Sequence, residues 1–175
     1  MTANNEYTFA STVTNIAYML PALCALERDP VVFVLFATLT ITSALFHAFP
    51  AERILQKLDV VSIYAIFAYL PYYLTGNWQL LVLGGALSLP YIANKISPKR
   101  SVSSTSVVTA MFAGTAVLAW GGPYFWFAIG AFVLAGVFSL AAERLNKPGS
   151  YRYSDLLHGA WHVATAAGFT FLILN

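Results

Sequence analysis

The run Val31–Phe49, VVFVLFATLTITSALFHAF, decides the fold. It holds no Asp, Glu, Lys or Arg, and roughly 20 mostly apolar residues are what a helix needs to cross the hydrocarbon core of a bilayer. Turn and charge signals bound it on both sides: Glu27-Arg28-Asp29-Pro30 before, Pro50-Ala51-Glu52-Arg53 after. A helix that is hydrophobic all round belongs in lipid or in the centre of a bundle, not on the surface of a water-soluble domain.

Working outward, six further runs of the same kind cover about Phe9–Leu26, Val60–Leu74, Trp78–Ala93, Ser104–Trp120, Tyr124–Ala142 and Ser154–Leu174. Between them lie short breaks such as Thr75-Gly76-Asn77, Ser97-Pro98-Lys99-Arg100, Gly121-Gly122-Pro123 and Asn146-Lys147-Pro148-Gly149. The sequence therefore predicts an all-α, polytopic membrane protein: seven transmembrane helices in a single domain over residues 1–175. The third and fourth spans are the shortest and contain Pro71 and Pro90. Composition agrees, with 59% hydrophobic and 9% charged residues against about 25% charged in a soluble domain. No loop is long enough for a nucleotide-binding module or a catalytic ectodomain, and a net charge of +2 does not point to nucleic acid. Cys24 is the sole cysteine, which excludes an intramolecular disulfide and a cysteine-based metal site. Residues Met1 to Thr8 carry no Lys or Arg and do not read as a cleavable signal peptide.

The basic residues orient the chain. The loops after spans two, four and six share the side of the N-terminus. They and the adjoining span ends hold Arg53, Lys57, Lys95, Lys99, Arg100, Arg144, Lys147 and Arg152, whereas the opposite side holds only Arg28. By the positive-inside rule the N-terminus is cytoplasmic and, after seven crossings, the C-terminus is outside.

Histidine occurs at His47, His158 and His162 and nowhere else. His47 closes the second span; His158 and His162 open the seventh. An even span ends, and an odd one begins, on the N-terminal side, so all three fall at similar depth near the cytoplasmic face. Asp59, at the start of the third span, falls at the same level. His158 and His162 are four apart and project from one helical face, about 6 Å apart along the axis. A helix offers two imidazoles to one zinc ion in this way, and three protein ligands with an open fourth position is the catalytic form of zinc. Ser43, one turn before His47, is a candidate donor to a developing oxyanion. Asp59 is a candidate base for water.

Plainer readings exist for each residue. A single intramembrane histidine often hydrogen-bonds between helices. Asp59 suits an N-cap of the third helix, and Ser43 can bond a carbonyl one turn back. Asp155 suits a partner of an imidazole or, better, a charge at the positive start of the seventh helix. Small residues from Gly159 to Gly168 make the seventh helix closely packable. Trp78, Trp120, Tyr124 and Tyr153 suit interface anchors, and Trp161, inside the histidine pair, suits the wall of a lipid-sized pocket. The Gly84-Gly85 pair reads as packing, because no strand precedes it to make a phosphate loop.

The pattern Ser43-x3-His47, Asp59, His158-x3-His162 on spans two, three and seven resembles the CREST superfamily, which holds the alkaline ceramidases, the adiponectin and progestin receptors, the Per1-type proteins and myomaker. The resemblance implies the seven-helix fold and a zinc site in which His47, His158 and His162 match the ligands, Asp59 the acidic residue and Ser43 the serine. Thr12-Val13-Thr14-Asn15, similar to a Thr-x-Ser-Asn stretch, and Trp161 before His162 lean toward the ceramidase branch. The chain departs from that branch in having only Glu6 before its first span, where the ceramidases carry a calcium-binding acidic cluster, so calcium regulation is not implied.

The expectation is a zinc-dependent intramembrane hydrolase that cleaves a membrane lipid at an amide bond, ceramide-like, or at an ester. Two other classes compete with it. One is a receptor-like or lipid-sensing protein in which zinc holds the helices together; the other is a scaffold or transporter with its histidines in a proton path.

Overall fold

The computed structural model describes residues 8–96, 111 and 114–175, and the regular elements among them are all helical. The first span is broken into α1 (Phe9–Thr14), a 3-10 turn (Asn15–Tyr18) and α2 (Met19–Ala25), where the sequence predicts one continuous helix. Pro21 explains the break: it has no N–H for the carbonyl four residues back, and its ring crowds that turn, which tightens instead. α3 (Pro30–Ala48) starts where Asp29 caps it, Oδ1 accepting from the backbone N of Val31 at 2.8 Å and Val32 at 3.3 Å, with Pro30 in the first turn.

α4 (Arg53–Thr75) begins seven residues before the predicted Val60, because Arg53, Gln56 and Lys57 stay helical on an exposed face. It runs through Pro71 and ends at Gly76, whose left-handed φ of 68° suits glycine. α5 (Trp78–Ile96) likewise carries Pro90 without ending. The predicted fifth span, Ser104–Trp120, lies largely outside the described residues; at its end Gly114–Ala116 is helical and Val117–Ala119 forms a 3-10 turn. α6 (Phe125–Leu145) and α7 (Tyr151–Leu174) follow.

Among the described residues α3, α4, α6 and α7 are long and apolar enough to cross a membrane, and Phe9–Ala25 and Trp78–Leu89 are shorter apolar helical stretches. Val34, Ile41, Val82, Val133 and Val137 point outward, each more than half exposed. An apolar exterior of this extent needs a solvent other than water. The fold is thus all-α, with several long apolar helices, as a polytopic membrane protein requires.

α7 is the central helix: 61% of its most apolar stretch is buried, against 33% in each of the other three long helices. It packs on α6 and on the whole first span. Small residues permit this, since a Cβ at Gly168 would sit 2.7 Å from the Phe132 ring of α6. Toward the end of α7, Phe169 meets Phe36 of α3 at 4.9 Å and Phe132 at 5.4 Å, edge to face, all three fully buried. Gly84 lets α5 touch the α4 backbone at Ala68, where a Cβ would come within 2.8 Å; its neighbour Gly85 faces open space. Contacts between Ala10 and Asp155, His47 and His158, and Ser43 and Asp59 bring the starts of α1, α4 and α7 and the end of α3 to one end of the bundle.

Candidate metal centre

At that end the three histidines meet. The last turn of α3 presents His47, and the third and fourth turns of α7 present His158 and His162. Ring centroids are 5.0 Å apart for His47 and His158, 5.2 Å for His47 and His162, and 4.8 Å for His158 and His162. One ring nitrogen from each lies within 4.8 Å of the others. A tetrahedral ion with Zn–N near 2.0–2.1 Å needs nitrogens about 3.3 Å apart, so small ring rotations bring the set to that geometry. His162 is buried and the other two are half-buried. Together they form a histidine cluster capable of coordinating a metal ion.

The carboxylate that the sequence sets at this level is not at a helix start. Asp59 lies nearly two turns inside α4, buried, which removes the capping reading. The Ser43 side chain of α3 lies close to this carboxylate of α4. Asp59 Oδ1 is buried with no hydrogen-bond partner, which is uncommon and points to a group that completes it. Tyr18, in the 3-10 turn, completes this wall: its ring lies 5.8 Å from that of His162, and its hydroxyl faces Thr165 and the Asp59 carboxylate. Trp161 is buried against His158 at 5.3 Å and His162 at 5.0 Å, packed behind the cluster.

Asp155 neither orients an imidazole directly nor caps its own helix. It reaches across to α1, where its oxygens accept from the backbone N of Ala10 at 2.8 Å and of Ser11 at 3.0 Å, and from the Ser11 hydroxyl. It is the N-terminal cap of α1, supplied from a residue 145 positions away. Beside it a pocket of about 170 Å³, lined by Thr8, Ser11, Asn146, Tyr151, Ser154 and Asp155, leads to His47 and His158. Polar side chains and an open mouth give water a route to the histidines.

Sequence reasoning misses Tyr18 and the packing partner Ser11. It reaches Thr12–Asn15 only through the family resemblance, and the signal that would have found the rest is the neighbour relation between α1 and α7, which no local pattern encodes. No known protein family, curated protein or solved structure matches this chain.

Proposed function

We propose that this chain is a zinc-dependent intramembrane hydrolase cleaving a lipid amide, ceramide-like, or a lipid ester, and that it is a seven-span, single-domain member of the CREST superfamily nearest the alkaline ceramidases. One observation carries the reading: the chain's three histidines, drawn from both halves of the sequence, meet at one end of the bundle, and Tyr18 links them to a buried carboxylate with an unpartnered oxygen. A merely structural cluster has no use for that second feature, since an unsatisfied buried acceptor costs about 1–3 kcal/mol.

Zinc, when held by His47, His158 and His162, supplies the Lewis acidity that acidifies water and polarises a carbonyl. Asp59 offers the unpartnered oxygen as the place for the proton that water gives up. Ser43, one turn from His47, offers a hydroxyl that holds the Asp59 carboxylate in place and can turn to an oxyanion. The Phe36–Phe132–Phe169 layer closes the core below and keeps water at the polar end.

Purified protein should contain about one zinc per chain and turn over a fluorescent ceramide or an acyl ester. Asp59→Asn should keep zinc and lose about 10²–10⁴-fold in turnover, and Ser43→Ala about 10²–10³-fold. Loss of zinc from Asp59→Asn would make Asp59 a ligand instead of a base. In the same reading the N-terminus is cytoplasmic and the C-terminus outside, so a reporter after Asn175 should lie outside and one within residues 95–100 inside. The reverse result would move the metal centre to the outer leaflet.

The size of the pocket favours a second reading. At about 170 Å³ it is smaller than the roughly 300–1,000 Å³ of ordinary ligand sites, and a two-chain lipid does not fit it. A receptor-like or lipid-sensing protein, with zinc tying α3 to α7, needs no larger space. Zinc present without cleavage across a panel of lipid amides and esters would establish that reading and end the hydrolase one.

A further inference from the structure

Residues 155, 159 and 162 form one stripe along α7, and each touches α1. Asp155 takes the Ala10 and Ser11 amides. Gly159 sits under the next turn: a Cβ there would come 3.0 Å from Thr14 Oγ1 and 3.2 Å from the Ala10 carbonyl. His162 then meets Thr14, Nδ1 to Oγ1 at 3.2 Å. The stripe docks α1 against the buried histidine, and glycine at 159 is what allows the approach.

Which atom donates can be worked out. A threonine hydroxyl has one hydrogen and two lone pairs. Thr14 Oγ1 lies 2.7 Å from the Ala10 carbonyl, a helical back-bond that uses the hydrogen. Lone pairs therefore face His162. The Ser11 carbonyl lies against the same ring and can only accept; it is shared, because the Asn15 side chain donates to it at 2.7 Å. Nδ1 faces the Thr14 lone pairs and so must carry a proton, and a neutral imidazole then leaves its other nitrogen bare.

We propose that Thr14 is a positioning residue for the histidine cluster: it holds the Nδ1 proton of His162, so that Nε2 is the nitrogen presented to the metal. The role rests on the reading of the cluster as a metal centre, and the tests separate the two. Thr14→Val keeps shape and removes the acceptor. Groups that orient a ligating histidine this way are worth about 10–100-fold in metal affinity, and because the Ser11 carbonyl remains, about tenfold is expected. Thr14→Ser should restore it. Thr12→Val is the control, since Thr12 makes the same back-bond, to Thr8 at 2.7 Å, without reaching a histidine; it should bind zinc as the natural chain does.

Zinc affinity is read by competition with a chelator, on purified full-length protein in detergent. Tight binding by the natural chain with unchanged binding by Thr14→Val overturns the role. Metal-free protein labelled with 15N at histidine gives a second readout that needs no metal: the His162 correlation pattern should be that of an Nδ1-protonated ring and should lose that uniformity in Thr14→Val. A ring protonated at Nε2 in the natural chain overturns the proposal outright. If the natural chain binds no zinc, the metal reading fails, and the tautomer measurement still decides for or against Thr14.

Discussion

The two ends of the bundle solve the same problem in opposite ways. Away from the histidines every described helix junction is closed by a polar side chain that has a partner. Asp29 caps α3 and takes the Tyr69 hydroxyl at 2.9 Å. Arg28 bonds the Ile173 carbonyl near the end of α7, which Tyr73 also approaches. Asn175 bridges the Tyr124 amide at 3.0 Å and the Ala119 carbonyl at 2.9 Å. At the histidine end polar groups are buried deeper, and two of them, Asn15 Oδ1 and Asp59 Oδ1, have no partner. Satisfied valence at one end marks closure; the histidine end keeps two unpartnered oxygens and three imidazoles that could hold a metal ion.

The sharpest way to break that contrast is to remove an imidazole. His158→Ala and His162→Ala should each lose most of the roughly one zinc per chain, because two remaining ligands do not hold the ion. Arg28→Ala, at the closed end, should keep full zinc. Metal analysis after gel filtration decides it, and full zinc in both histidine variants would end the metal reading.

The contrast was partly visible in the sequence. Apolar runs separated by Pro, Gly and charge foretell α3, α6 and α7 to within three residues at each end, since in lipid the hydrophobic pattern and the helix largely coincide. His47, His158 and His162 come together as expected because alternating spans carry depth information. Asp59 and Ser43 were placed on the right helices, yet the start of α4 was read late: Arg53, Gln56 and Lys57 end the hydrophobic run without ending the helix. The first span was read as unbroken, and its 3-10 turn, which brings Tyr18 to the cluster, depends on Pro21 acting on the turn before it. Asp155 and Thr14 are singled out in the sequence, but their partners are not, for another reason. Their partners lie 145 and 148 positions away, and side-chain periodicity says which face is buried, not which helix it meets.

A smaller test sharpens the part of the contrast that runs through α1. Asp155→Ala would strip the acceptors from the Ala10 and Ser11 amides, at a cost of about 1–3 kcal/mol. For a chain of this length each kcal/mol moves Tm by about 2–4 °C. Because α1 carries Thr14, zinc affinity should fall as well. Asp155→Asn keeps one acceptor oxygen and should fall between the two. A loss of stability with zinc affinity intact would show that α1 is held to α7 without supporting the histidines.

The smallest expected effect lies at the closed end and tests whether the two ends are independent. Asp29 makes two separable contributions: Oδ1 caps α3, and Oδ2 receives Tyr69. Replacing a capping Asp by Ala costs about 0.5–2 kcal/mol, typically ~1, so Asp29→Ala should lower Tm by a few degrees. Asp29→Asn, which still caps, should lower it less, and Tyr69→Phe should reproduce the remainder. Zinc content and affinity should not change in any of the three. The comparison is pointed because Asp29 and His47 stand at opposite ends of the same helix. α3 is 19 residues long, about 28 Å at 1.5 Å per residue, and the buried Phe36 contact to Phe169 fixes it about two turns in from Asp29. A cap lost at one end should fray only the first turn. If Asp29→Ala releases zinc, then α3 moves as a rigid lever, and the closed end is part of the metal centre's support.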